Sequence, residues 1–269
     1  MSLLAIKLIV TPLVVLAATL AARRWGDAVG GWLVGLPLTS GPVSVFLALE
    51  QGPAFAAHAA DGSLAGVIAQ AAFCFGYAAL ARRGAAAALV SGTLAYGAFA
   101  AVLLDAGLST FALFLATVVA LTILLWLMPR HPAQPGNAVG WGEALLRMAA
   151  TTALVVGLTS AATALGPGVA GSAASFPLIG ASIAVFAQLG PGQAAGVAVM
   201  RGMASALYAF AVFFLIVSLA MTRMPLAAAF GLATMGALVA QAATLRLLRP
   251  AQKERRGRWG AAASSPNRG

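Results

Sequence analysis

GGWLVGLPLTSGPVSVF, residues 30 to 46, and AGSAASFPLIGASIAVF, residues 170 to 186, read as two versions of one segment. Set at a spacing of 140, they match Gly31 with Gly171, Pro37 with Pro177, Leu38 with Leu178, Val45 with Val185 and Phe46 with Phe186. Both place proline and glycine where an apolar helix would otherwise run uninterrupted. The spacing extends outward without a gap: of residues 1 to 53 laid over 141 to 193, 14 of 53 are identical, and Lys7 falls on Arg147. Alanine matches mean little in so alanine-rich a chain. Pro-Leu, Val-Phe and a basic residue four before a threonine are harder to obtain by chance, so we read the pattern as an internal duplication.

The composition around these segments indicates a bilayer. In 269 residues, 61% are hydrophobic, 8% are charged, and the mean hydropathy is +0.96. The expected fold class is an all-α polytopic membrane helix bundle. With 30 Gly and 13 Pro, the apolar surface is small-residue surface that lets helices approach closely. The net charge of +10 does not point to nucleic acid, because Arg249, Lys253, Arg255, Arg256, Arg258 and Arg268 against Glu254 put half of it in the last residues. A basic tail beside a membrane suits cytoplasmic retention and anionic headgroups. The expected partners are the lipid bilayer and a possible small solute. The lone Cys74 excludes an intrachain disulfide.

Windows of about 20 apolar residues are needed to cross the hydrocarbon. Nine are found: 3–22, 28–50, 63–81, 84–104, 108–128, 143–165, 168–189, 194–219 and 225–248. Arg23-Arg24, Arg82-Arg83 and Arg130-His131 follow the first, third and fifth, while Glu50, Asp61 and Asp105 occupy the joints after the second and fourth. This alternation predicts the N-terminus outside and the C-terminus in the cytoplasm of a bacterial inner membrane, with Arg223 as the exception. The first segment also resembles a signal peptide. Its recurrence in mid-chain argues for a retained helix instead.

An odd number of spans separates the two copies, so the second enters the membrane inverted. Arg23-Arg24 of the first copy become Thr163-Ala164 in the second, where that joint should face outward. The expected organisation is a first four-span repeat (1–107), a connecting span (108–128), a Pro/Gly-rich linker (129–142), a second, inverted four-span repeat (143–248) and a basic cytoplasmic tail (249–269).

Candidate chemistry gathers at the two interruptions. Pro37, Thr39, Ser40 and Ser44 lie in the second span, with Gly35, Gly41 and Pro42; Pro177, Ser182 and Gln188 lie in the seventh, with Ser175 and Gly180. A proline inside a helix frees a carbonyl one turn back, which neighbours, hydroxyls or a ligand must satisfy. Paired interruptions in inverted halves point to a binding site near the midplane; equally, they are packing kinks. Lys7, Thr11 and Thr19 lie along one ridge of the first span, and Arg147, Thr151 and Thr159 along the sixth. Lys7 and Arg147 either snorkel to the headgroups or serve the site. Arg201, early in the eighth span, presents the same choice; a spacing of 131 pairs it with Gln70 and pairs Tyr208 with Tyr77. Gly26, Gly30 and Gly31 read as helix contacts.

No acid is found at the centre of a span, and His58 and His131 sit in joints. Neither metal-ligand spacing, a paired nucleophile and base, nor a phosphate loop is present in the sequence. No enzyme activity, cofactor or metal is therefore expected.

Residues 143 to 250, with Phe176-Pro177 in the second span and Arg201, Ser205 and Tyr208 after a short joint, resemble the GlpM family of small bacterial inner-membrane proteins. The resemblance implies a fold unit and an inner-membrane location, and assigns no catalytic residue. The expected function is a transporter or channel for a small anionic or neutral solute, since three basic residues meet no midplane acid. The alternative is a non-transporting regulatory or assembly protein.

Overall fold

A computed structural model describes residues 3–37, 40–104, 107–129, 141–164 and 176–248. All regular structure among them is helical. The helices are α1 (Leu3–Trp25), α2 (Asp27–Val34), α3 (Ser40–Gln51), α4 (Pro53–Leu80), α5 (Ala85–Leu104), α6 (Thr110–Leu127), α7 (Trp141–Ala164), α8 (Leu178–Leu189), α9 (Gln193–Ala220) and α10 (Leu226–Leu248), with a 3-10 turn at Ala81–Arg83.

The two central helices begin alike. Gly52 precedes α4 at φ +91°, and Gly192 precedes α9 at φ +110°, values at which a side chain would be strained. Pro53 then opens α4 at a position where its missing N–H costs nothing. Both helices run for 28 residues. At 1.5 Å per residue that is about 42 Å, so each outreaches a hydrocarbon layer of about 30 Å.

α4 and α9 are antiparallel. Asp61, early in α4, meets Ser218, late in α9, whereas Tyr77 near the end of α4 meets Gln188, just before α9 begins. Between and around them lie the fully buried side chains Leu64, Phe73, Tyr77, Met200, Met203, Leu207 and Phe214. α6 packs against both, α5 covers α4, and α10 covers α9. Lipid is as apolar as these side chains, so contact geometry, more than hydrophobic burial, must hold the helices together. α2 illustrates this. A Cβ on Gly31 would strike the Val199 carbonyl, and one on Gly202 would strike the Ala28 carbonyl, so the backbones of α2 and α9 touch. On the other side of α2, a Cβ on Gly30 would lie 2.8 Å from Ala18 O of α1.

Five of the described helical segments are long and apolar enough to cross a membrane: Pro53–Arg83, Ala85–Leu103, Thr110–Leu127, Gln193–Ala220 and Leu226–Leu245. They correspond to the third, fourth, fifth, eighth and ninth windows of the sequence. α1 and α7, at 23 and 24 residues, overlap the first and sixth windows but are not among these five. The second window is not one helix: α2 ends at Val34 and α3 begins at Ser40.

Several expectations change. Asp61 and His58 are not in a joint, because α4 starts ten residues before the predicted span; Gly52 alone separates it from α3. Gly26 also caps α2, at φ +97°. Pro177 does not break a helix from within. It is the residue before α8, and its carbonyl accepts from Ala181 N at 2.8 Å. Pro37 likewise precedes α3, its carbonyl accepting from Gly41 N at 2.9 Å. Proline is tolerated at helix starts, so neither proline by itself interrupts a helix. α7 takes in the last two linker residues, Trp141 and Gly142. Finally, the starts of α4 and α9 are 140 apart, and so are their ends; at that spacing Arg201 falls on Asp61, not on Gln70.

Candidate functional site

The two interruptions meet on one residue of α9. A Cβ on Gly35, just past α2, would lie 2.8 Å from Met203 O, and a Cβ on Gly180, in the first turn of α8, would strike the Met203 thioether. At Gly35 the chain packs on the backbone and on Ala206 of α9, so glycine is required there; at Gly180 the neighbour is the flexible end of Met203, which can give way. Phe176, immediately before Pro177, is held by Phe73 at 5.3 Å and Tyr96 at 5.1 Å between ring centroids, both edge to face. That aromatic pocket of α4 and α5 sets where α8 can start. Pro177 and Ser182 are buried, Pro37 and Ser44 are partly buried, and Thr39 and Ser175 lie outside the described residues. The side chains of Lys7 and Ser40 also lie outside them.

Gln188 closes the other end of α8. Its Oε1 accepts from Tyr77 OH at 2.8 Å, and its Nε2 donates to Ala81 O at 2.9 Å. Both ends of the amide are therefore used in fastening α8 to the end of α4, and the tyrosine hydroxyl has a partner despite its burial.

Arg147 is the most deeply buried cation among the described residues, at 6% exposure. It rises from the second turn of α7, pairs through Nη2 with Glu143 one turn back, and lies with Cζ 5.5 Å from the centre of the Phe186 ring on α8. Its Nε has no hydrogen-bond partner, and neither has the hydroxyl of Thr151, the next residue along the same ridge. Thr151 is 1% exposed. The Arg147 charge also acts on Asp27, the first residue of α2 and outside the five membrane-length helices. Burial raises that carboxyl above its ordinary pKa, and the guanidinium opposes the rise. The corner of α7, α8 and the start of α2 thus sets one buried cation beside the carboxyl groups of Glu143 and Asp27, and along α7 it leaves Arg147 Nε and the hydroxyls of Thr151 and Thr152 unmatched.

Arg201 is placed differently. Its Nη1 donates to Leu125 O at 2.7 Å and to Met128 O at 2.9 Å, both at the end of α6. Ser205 Oγ donates to Gly202 O at 2.6 Å within α9, and the Tyr208 and Thr122 hydroxyls are 2.8 Å apart between α9 and α6. So the structure brings Gly35 and Gly180 against α9, sets Arg147 and Gln188 on the α8 side, and turns Arg201 to the end of α6.

Sequence reasoning missed Asp61, whose Oδ1 accepts from Thr110 Oγ1 at 2.7 Å and Ser218 Oγ at 2.8 Å. The spacing of 140 carried through to the third span would have found it opposite Arg201. It placed Tyr77 only as a counterpart of Tyr208, and it missed Trp32, whose Nε1 donates to Thr244 Oγ1 of α10 at 3.3 Å. Among the described residues there is no group of His, Cys, Asp and Glu that could hold a metal ion. No family model matches the chain, and no curated protein or solved structure does either.

Proposed function

We propose that this protein is a membrane transporter or channel for a small anion, which binds near the paired interruptions with Arg147 as its principal partner. One observation carries this reading: a guanidinium removed from water keeps one N–H unmatched beside an unmatched buried hydroxyl. Buried polar groups are nearly always hydrogen-bonded, and an unpaired buried donor is costly, so a pair of unmatched groups next to a buried charge suits a site that a ligand completes. The expected layout is nine spans in two inverted halves. In its favour, α4 and α9 are antiparallel, equal in length and preceded by glycines 140 apart, and α6 packs against both. The orientation is N-terminus outside and C-terminus in the cytoplasm of a bacterial inner membrane. In a Cys74→Ser background, an impermeant thiol reagent should reach Leu108→Cys from outside and Ala86→Cys only from inside.

A second reading has its own support. Gly35 is packed without room against Met203 O and Ala206 of α9, as a non-transporting regulatory or assembly protein would require. The two separate in liposomes holding the purified full chain. Chloride, inorganic phosphate and acetate are the charged probes, and glycerol is the neutral one. Uptake of at least one anion, lost in Arg147→Met, is the expected result. No uptake of any probe, with no thermal stabilisation by any of them, would leave the scaffold reading.

A further inference from the structure

α6 is attached by a narrow seam. Leu113, Thr117, Leu121 and Leu124 form its buried stripe, while Phe111, Leu115, Val119, Ile123 and Trp126 are exposed along the other side. Thr117 adds a bond to Leu113 O at 2.7 Å in its own helix and a long one, 3.4 Å, to Leu64 O of α4. A helix with so little buried surface needs its ends held. Each end carries unsatisfied backbone groups, and these give the N-terminus a partial positive charge and the C-terminus a partial negative one.

Both ends meet a charge of the complementary sign. At the start of α6, the Thr110 hydroxyl donates to Asp61 Oδ1 at 2.7 Å, the same oxygen accepts from Ser218 Oγ at 2.8 Å, and the two hydroxyls are 3.2 Å apart. At the other end, Arg201 Nη1 spans the carbonyls of Leu125 and Met128 at 2.7 and 2.9 Å. Asp61 lies eight residues after Pro53, the first of α4, and Arg201 eight residues after Gln193, the first of α9. Because α4 and α9 are antiparallel, the same position on each falls at opposite ends of the helix they share. One position must therefore face the positive end of α6 and the other the negative end, which accounts for an acid in one and a base in the other.

We infer that Asp61 and Arg201 are the paired fastenings of α6, which lock α4, α6 and α9 into one frame. Arg201 is on this account a positioning residue for the connecting helix and does not contact solute. Any movement that serves transport falls to α1 to α3, α7 and α8. The inference stands on hydrogen bonds alone and does not depend on transport.

Hydrogen exchange of the full chain in nanodiscs tests it end by end. Asp61→Asn should speed exchange about tenfold over residues 107–113 and leave 124–129 as in the parent protein; Arg201→Gln should do the reverse. Thr110→Val, which removes only the hydroxyl, should loosen the same end as Asp61→Asn, and it serves if the charge variant does not fold. Arg201→Lys keeps the charge and should retain most of the protection at 124–129. The exchanged pair Asp61→Arg with Arg201→Asp keeps the net charge but opposes both helix ends, and should loosen both. Unchanged exchange at the variant's own end would overturn the inference. So would uniform loosening of the whole protein by either single variant, or an exchanged pair that behaves like the parent.

Discussion

Along α4, α6 and α9, the polar side chains close on one another. Asp61 takes Thr110 and Ser218, Arg201 takes two carbonyls, and Tyr208 takes Thr122. In the corner where α7 meets α8, Arg147 and Thr151 are buried more deeply than these and left incomplete. Both regions place polar side chains among apolar helices. They differ in whether the protein itself supplies the partners, and that separates polar groups serving the fold from those available to a ligand. In a membrane the distinction sharpens, because no bulk water fills an unmatched position.

The comparison is broken most severely at a glycine of the frame. Gly202→Leu would drive a side chain into the backbone of α2 at Ala28 and Trp32. The expected cost is about 4 kcal/mol, seen as loss of folded protein in size-exclusion chromatography. Gly97 on α5 has nothing within 4 Å of a Cβ, so Gly97→Ala should be harmless. If both were tolerated, α2 would not be seated on α9 as described.

Arg147→Met separates stability from binding. An unbranched apolar chain of similar length fills the same volume without a buried charge, so the thermal midpoint should hold or rise, while anion affinity should fall at least about tenfold. A fall in the midpoint with no change in affinity would make Arg147 a structural residue like those of the frame. Tyr77→Phe is the matching test of a completed pair. It removes the hydroxyl that Gln188 accepts. A cost of about 1 kcal/mol is expected, read as a midpoint a few degrees lower, with anion binding unchanged. The smallest effect belongs to Thr151→Val, which deletes an unmatched hydroxyl: no loss of stability, and about threefold weaker binding. Were Thr151→Val as destabilising as Tyr77→Phe, the hydroxyl would have a partner and the contrast between the two regions would narrow.

Much of the fold was legible in the chain. The predicted span 84–104 is α5 at 85–104, 108–128 is α6 at 110–127, and 194–219 is α9 at 193–220. These limits depend on local composition and on glycine or proline at the joint, which a window of about 20 residues registers. The span at 63–81 missed the first ten residues of α4, because PAFAAHAADG is polar enough to read as a joint. Those residues extend beyond what a membrane layer needs. Hydropathy has no means of predicting that extension, which depends on contacts with α3, α6 and α9. The position of Asp61 was lost with it.

At the candidate site, the sequence by itself determined that proline and glycine interrupt two apolar segments 140 apart and that Lys7 and Arg147 are equivalent in spacing. It also determined where most helices start and stop, since those choices are local: a backbone turns where glycine permits and a helix opens where proline is tolerated. Only the tertiary structure decided what each polar residue is for. Arg147 and Arg201 are both arginines set early in apolar helices, and the sequence presented the same alternatives for each. One lies in a corner with its Nε unmatched, and the other donates to carbonyls 73 and 76 residues away in the chain. A side chain's electrostatic role follows from the groups within hydrogen-bond reach, and in a helix bundle those groups come from distant segments whose arrangement no local pattern records.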